Sequence, residues 1–278
     1  VTFVGGVVCG VVWGVDSGDA DEAGHAAGVV AADVDGDSDV DVVTVHEDDP
    51  GDAYDPATGT VRYFRNDAGT FNEQTGVDND FASVGFDPSA EVGSIALVNL
   101  DGDANLDFVA VEQQGDVGIL RYFRNELDEP AAAFVEQTAA ANPFDGVATV
   151  YGYGGLAFAD LDGDTDLDLA LGNKYGTLSY FENTGGLATP AFTARTGTDN
   201  PFRYAASGMI SYPALGDVDG DGENDLLLIG MLLKHYAPDD TPGTHDAVFA
   251  DVTDAAHPLY TAPAAPDGFV FNGTYLLG

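Results

Sequence analysis

The pattern Asp-x-Asp-Gly-Asp-x-x-x-Asp recurs four times in this chain, once with Asn in the first place. The copies are DVDGDSDVD from Asp33, NLDGDANLD from Asn99, DLDGDTDLD from Asp160 and DVDGDGEND from Asp217. In a tight turn the oxygens at loop positions 1, 3, 5 and 9 converge on one point, and the Gly at position 4 relieves the turn. Hard oxygen ligands in that number suit Ca²⁺, whereas Zn²⁺ calls for His or Cys. Four copies argue against solvated acidic turns that arose by chance, so the loops predict about four bound calcium ions.

The EF-hand also opens on D-x-D-x-D, but it needs a bidentate Glu at position 12 and a helix on each side. Position 12 here is Thr44, Ala110, Leu171 or Leu228, none of which carries a carboxylate. The flanks read GVVAA, SIALV, LAFA and PALG before the loops, and VVTV, FVAV, LALG and LLLI after them. Such short apolar runs, rich in β-branched residues and bounded by Gly, predict buried strands. Calcium is therefore expected to brace a β-hairpin.

The first loop positions lie 66, 61 and 57 residues apart. Other landmarks keep the same interval. A third strand carries RYFRN at 62–66, RYFRN at 121–125 and SYFEN at 179–183. A fourth carries FNEQT at 71–75, FVEQT at 134–138, FTART at 192–196 and FADVT at 249–253. Each unit thus reads strand A, acidic loop, strand B, strand C, strand D, with no sustained helical periodicity. A four-stranded unit that cannot bury both faces alone must stack on its neighbours, which predicts an all-β propeller of four-stranded blades.

These hairpins, followed by a strand ending in Gly and then a Tyr-Phe strand, resemble FG-GAP/VCBS repeats, which build the propeller of integrin α-chains. The resemblance spans roughly residues 24–278. It implies ligation by side chains at positions 1, 3, 5 and 9 and by the carbonyl of position 7. In this chain those are Asp33, Asp35, Asp37 and Asp41 with Asp39, and Asn99, Asp101, Asp103 and Asp107 with Asn105. In the later units they are Asp160, Asp162, Asp164 and Asp168 with Asp166, and Asp217, Asp219, Asp221 and Asp225 with Glu223. The chain departs from the family in two ways. LGN at 171–173 and IGM at 229–231 stand where Gly-Ala-Pro is usual, and Asn99 lowers the ligand charge of loop two.

Residues 1–18 align without a gap on 168–185, so the N-terminus reads as strands B and C of a partial blade. Blades are then expected at about 24–85, 86–146, 147–203 and 204–262, with 263–278 as a further strand A. Pairing of that strand with the N-terminal strand B would close a ring of about five blades. A slice of a longer tandem array fits the same residues. The apolar N-terminal run is about 15 residues long, lacks a basic flank and reads as strand, not as a membrane span.

The formal net charge is −40, with two lysines, Lys174 and Lys234. Four divalent ions would leave about −32, which repels nucleic acid and anionic membranes and suits a saline setting. Cys9 is alone and reads as a small apolar strand residue. Weak multi-carboxylate sites fill at the millimolar calcium found outside cells, which predicts an extracellular or cell-surface location. Asn272-Gly273-Thr274 is a glycosylation sequon.

No catalytic constellation stands out. The five histidines (His25, His46, His235, His245 and His257) fall at non-equivalent repeat positions, and GxSxG, HExxH, P-loop and CxxC motifs are absent. Adjacent strand residues point to opposite faces, so one ring of each Tyr-Phe pair is expected between blades. Arg62, Arg65, Arg121 and Arg124 are expected to pair with neighbouring carboxylates. Two long connections, at 46–60 and about 231–245, read as B–C loops on the rim opposite the acidic loops. The sequence therefore points to a non-catalytic, calcium-stabilised extracellular repeat domain that mediates adhesion or assembly through protein or glycan contacts. A lectin and a subunit of an extracellular filament or surface layer are the alternatives.

Overall fold

Each acidic loop joins two apolar runs, and these runs pair as antiparallel strands. The computed structural model describes residues 8–10, 26–46, 60–87, 90–103, 105–126, 134–150, 154–217, 222–230, 233–238 and 249–251. A short strand, β1 (Val8–Gly10), precedes blade one, which comprises β2 (Ala26–Ala32), β3 (Asp41–His46), β4 (Thr60–Asp67) and β5 (Thr70–Gln74). Blade two comprises β6 (Glu91–Val98), β7 (Asp107–Gln114), β8 (Val117–Asn125), β9 (Phe134–Gln137) and β10 (Ala148–Val150). Blade three holds β11 (Leu156–Ala159), β12 (Asp168–Gly172), β13 (Leu178–Asn183) and β14 (Phe192–Arg195). Blade four holds β15 (Tyr212–Gly216), β16 (Asp225–Ile229), β17 (Leu233–Pro238) and β18 (Phe249–Asp251).

Among the described residues four antiparallel sheets are arranged as propeller blades, the all-β architecture that the repeat pattern predicts, whereas the strand expected to close a ring of about five blades lies outside them. Their first strands lie side by side, with β2 against β6, β6 against β11 and β11 against β15. Helical structure among the described residues is confined to short 3₁₀ turns, so no helix there could cross a membrane.

The Tyr-Phe pairs explain how blades adhere. Tyr63 of blade one shares a buried cluster with Phe123 of blade two. Tyr122 of blade two meets Phe181 of blade three, and Tyr180 of blade three meets Tyr236 of blade four. Neighbouring residues thus serve opposite faces, Tyr facing the following blade and Phe the preceding one. Both rings of the pair are buried in blades two and three.

A further repeat, Asn-x-Phe at 79–81, 142–144 and 200–202, reinforces these interfaces. Each Asn side chain accepts from the Phe amide, at 3.0, 3.0 and 2.8 Å, and donates to a carbonyl of the preceding strand C, at Val61, Leu120 and Leu178. This anchors the Phe ring between blades. Phe81 stacks on Phe134 with ring centroids 4.3 Å apart, and Phe144 on Phe192 at 4.6 Å.

Two expectations about connections change. Val8–Gly10, which the repeat alignment puts at a B–C turn, instead pairs antiparallel with β2, Cys9 opposite Val30. The edge of β2 offers unpaired backbone groups, and this segment satisfies them. The proposed closing strand at 263–278 lies outside the described residues, as do most of the partial blade at 1–18, Asn272 and the loop at 47–59. In blade four, strand C occupies Leu233–Pro238, paired with β16 through Ile229–Leu233 and Leu226–Tyr236. The turn between strands B and C is therefore short. Strand C ends at Pro238 and strand D starts at Phe249, both on the rim of the acidic loops, so the long connection expected between strands B and C does not fall there; residues 239–248 lie outside the described residues. LKHYAP lacks the Tyr-Phe signature, which hides the strand in the sequence.

Candidate metal loops

Each loop builds its own turn from backbone amides that donate to side-chain oxygens. The position-1 side chain accepts from the position-4 Gly amide at 2.8 Å in loops one, two and three, through Asp33, Asn99 and Asp160. Asp35, Asp101 and Asp162 each accept from the amide two residues on, at 3.2 Å. Asp37, Asp103 and Asp164 do the same, at 2.8, 2.9 and 3.1 Å. Acidic side chains that would repel one another are thereby aimed inward by the backbone itself. Gly163 takes φ +80°, a left-handed conformation open to Gly at little cost, and its neighbour Thr165 is held at φ 81°.

In loops one and three the chain brings three carboxylates together. One oxygen from each of Asp33, Asp35 and Asp37 lies within 4.8 Å of the others, and Asp160, Asp162 and Asp164 repeat the arrangement. Asp166, at position 7 of loop three, is buried, and its Oδ1 has no hydrogen-bond partner. Burial and then the charges of Asp164, Asp162 and Asp160 raise its carboxyl above the usual range. A buried, unsatisfied oxygen beside three clustered carboxylates fits a hard divalent cation, and oxygen-only donors favour Ca²⁺ over Zn²⁺. The ion would neutralise the cluster and lock the turn. In loop four, Asp217 accepts from the Gly222 amide at 3.1 Å, and Glu223 is exposed; Asp219 and Asp221 lie outside the described residues.

Position 9 does something the sequence did not announce. Asp41, Asp107, Asp168 and Asp225 are buried at the start of strand B, outside the carboxylate clusters. Asp107 accepts from the Leu100 amide at 3.1 Å, from the Tyr122 hydroxyl at 2.8 Å and from the Asn125 amide at 2.9 Å. Asp41 takes the same three donors from Val34, Tyr63 and Asn66, and Asp168 takes them from Leu161, Tyr180 and Asn183. This carboxylate ties the loop to strand C of its own blade. Burial outweighs these donors and pushes the carboxyls of Asp107 and Asp168 up to about 6. The Tyr122 and Tyr180 hydroxyls are raised far above the usual phenol range by burial and by the facing carboxylate.

The geometry of a loop-hairpin-Tyr unit repeats in blades one, two and three, and residues 160–228 match the family model described as an FG-GAP-like repeat. The chain carries an FG-GAP-like repeat. The match begins at the first position of loop three and ends in β16, so the FG-GAP-like unit straddles two blades. Within it fall loop three, the Asp168–Tyr180 contact and part of the third interblade cluster, including Tyr180, Phe202 and Leu226. No curated protein matches the chain.

Blade four departs from the other three blades at two linked positions. Strand registers align His235 with Tyr180, and Pro238 with Asn183. Proline has no amide to give Asp225, and His235 Nε2 lies 3.3 Å from Asp225 Oδ1 in place of the Tyr hydroxyl. Both residues are buried.

The arginines pair with carboxylates as expected: Arg62 with Glu73 at 2.7 Å, Arg65 with Asp67 at 3.0 Å, Arg121 with Glu136 at 2.7 Å and Arg124 with Asp101 at 2.6 Å.

Proposed function

We propose that this FG-GAP-like repeat propeller is a non-catalytic domain whose acidic loops bind Ca²⁺ and whose rims present loops for adhesion or assembly outside the cell. The observation that carries the reading is the paired carboxylate triads of loops one and three, with the unsatisfied Asp166 oxygen beside the second. An ion at loop one and another at loop three would neutralise charge in a chain of net −40 and fix the hairpin between strands A and B. Millimolar extracellular calcium suits sites of this kind. The partner is a protein, a glycan or another copy of the chain.

A lectin with one sugar site per blade is the less favoured reading. Tyr63, Tyr122 and Tyr180, which recur at one strand position, are buried and hydrogen-bonded to position-9 carboxylates. Native mass spectrometry in calcium tests the proposal: Asp162→Ala should lower the number of bound ions by about one. An unchanged count would remove loop three from the assignment.

A further inference from the structure

Loop two differs from loops one and three in a way that changes what it can hold. Its acids are Asp101, Asp103 and Asp107, because Asn99 and Asn105 replace the acids at positions 1 and 7. Loops one and three carry an acid at all five odd positions. In loops one and three the second carboxylate oxygen of position 1 also accepts the position-6 amide, from Ser38 and from Thr165, each at 3.0 Å. The Asn99 amide nitrogen cannot accept that bond.

A cation from the chain itself lies in this loop. Arg124 Nε stands 2.6 Å from Asp101 Oδ2, and its Nη2 stands 4.0 Å from Asp103 Oδ2. The two carboxylates that remain at positions 3 and 5 thus face a guanidinium. The same strand position behaves otherwise elsewhere. Arg65 in blade one turns away to Asp67, and blade three has Glu182, which pairs with Arg195.

We propose that Arg124 is a built-in counter-ion that replaces calcium in loop two, so that this loop is ordered without metal while loops one and three depend on it. A doubly charged ion between Asp101 and Asp103 would meet the positive guanidinium and two fewer acids. The chain therefore combines metal-gated loops with one that stays formed when calcium is removed. The metal-gated half of this statement rests on the calcium reading above; the role of Arg124 does not.

Native mass spectrometry and hydrogen exchange on the full chain decide it. In calcium, Asp162→Asn should lose one ion relative to the parent, and Asp101→Asn should lose none; loss of an ion in Asp101→Asn overturns the proposal. On calcium addition to the parent, protection should rise at 33–41 and 160–168 and stay level at 99–107. A rise at 99–107 equal to the others overturns it too. In chelator, Arg124→Gln should lower protection at 99–107 several-fold, and Arg124→Lys should restore part of it. If Arg124→Gln leaves that segment unchanged, Arg124 is no counter-ion. If the parent binds no calcium at all, the calcium reading fails, and the chelator arm still decides the role of Arg124.

Discussion

The Tyr122 hydroxyl donates to the buried Asp107 carboxylate at 2.8 Å, joining an interblade core to an acidic loop through one hydrogen bond. Tyr122 packs with Phe144 and Phe181 in the cluster between blades two and three, while Asp107 closes loop two. Tyr122→Phe should leave Asp107 one donor short and destabilise the protein by about 1–3 kcal/mol. Denaturant unfolding checks this against Tyr204→Phe, a change at a ring 72% exposed, which should be neutral. Equal effects would contradict the coupling.

Stability in chelator should fall as pH rises from about 4 to about 6. The folded-state values of Asp107 and Asp168 stand near 6, above the ordinary 3.8, so in that window the folded chain holds protons that the unfolded chain releases. The loss is on the order of 2–3 kcal/mol per carboxyl and levels off above the folded value. Repulsion within the acidic chain has the same sign, so Asp107→Asn, which removes one carboxyl's share, isolates the effect. A slope as steep in Asp107→Asn as in the parent would refute it.

Loop three stores backbone strain at Thr165, a β-branched residue at φ 81°. Gly222 holds the same loop position in blade four at φ 94° without that cost. Thr165→Gly should stabilise the calcium-free protein by about 1 kcal/mol. Gly163→Ala, at φ +80° with open space around its added carbon, should destabilise it by a similar amount. Thermal unfolding of both variants in chelator gives the signs; the reverse order would place the strain elsewhere.

Blades three and four meet through backbone too closely for side chains. The Gly155 amide donates to the Ser211 carbonyl at 2.9 Å, and a Cβ on Gly172 would overlap that carbonyl. Gly172→Ala should therefore cost about 3 kcal/mol or prevent folding. Gly216→Ala, with nothing near its added carbon, serves as the control. A folded Gly172→Ala protein of parental melting temperature would show that the interface yields.

The loops and strands are legible in the sequence because their periodicity is local. Asp and Gly stand at fixed spacing, and the Val, Leu and Phe runs that follow form the paired strands Asp41–His46, Asp107–Gln114 and Asp168–Gly172. The Tyr-Phe repeat reads as core, and the structure agrees. The task of position 9 is not legible, because a carboxylate spaced like a ligand and one that accepts from Tyr, amide and loop look alike in sequence. Only the fold brings Tyr180 and Asn183 onto Asp168. Blade four hides its strand C because His235 and Pro238 replace the Tyr and Asn that mark it elsewhere. The Asn-x-Phe repeat keeps the interval of the loops and is visible once the repeat alignment is extended past strand D.

The most direct test is thermal unfolding in excess calcium and in chelator, each at low and high NaCl, with bound metal counted by native mass spectrometry. Calcium-braced loops predict bound ions and a chelator-induced fall in melting temperature on the order of 10 °C at both salt levels. Recovery of full stability in high NaCl with no calcium bound would mean that the loops need only charge screening, and would contradict the account.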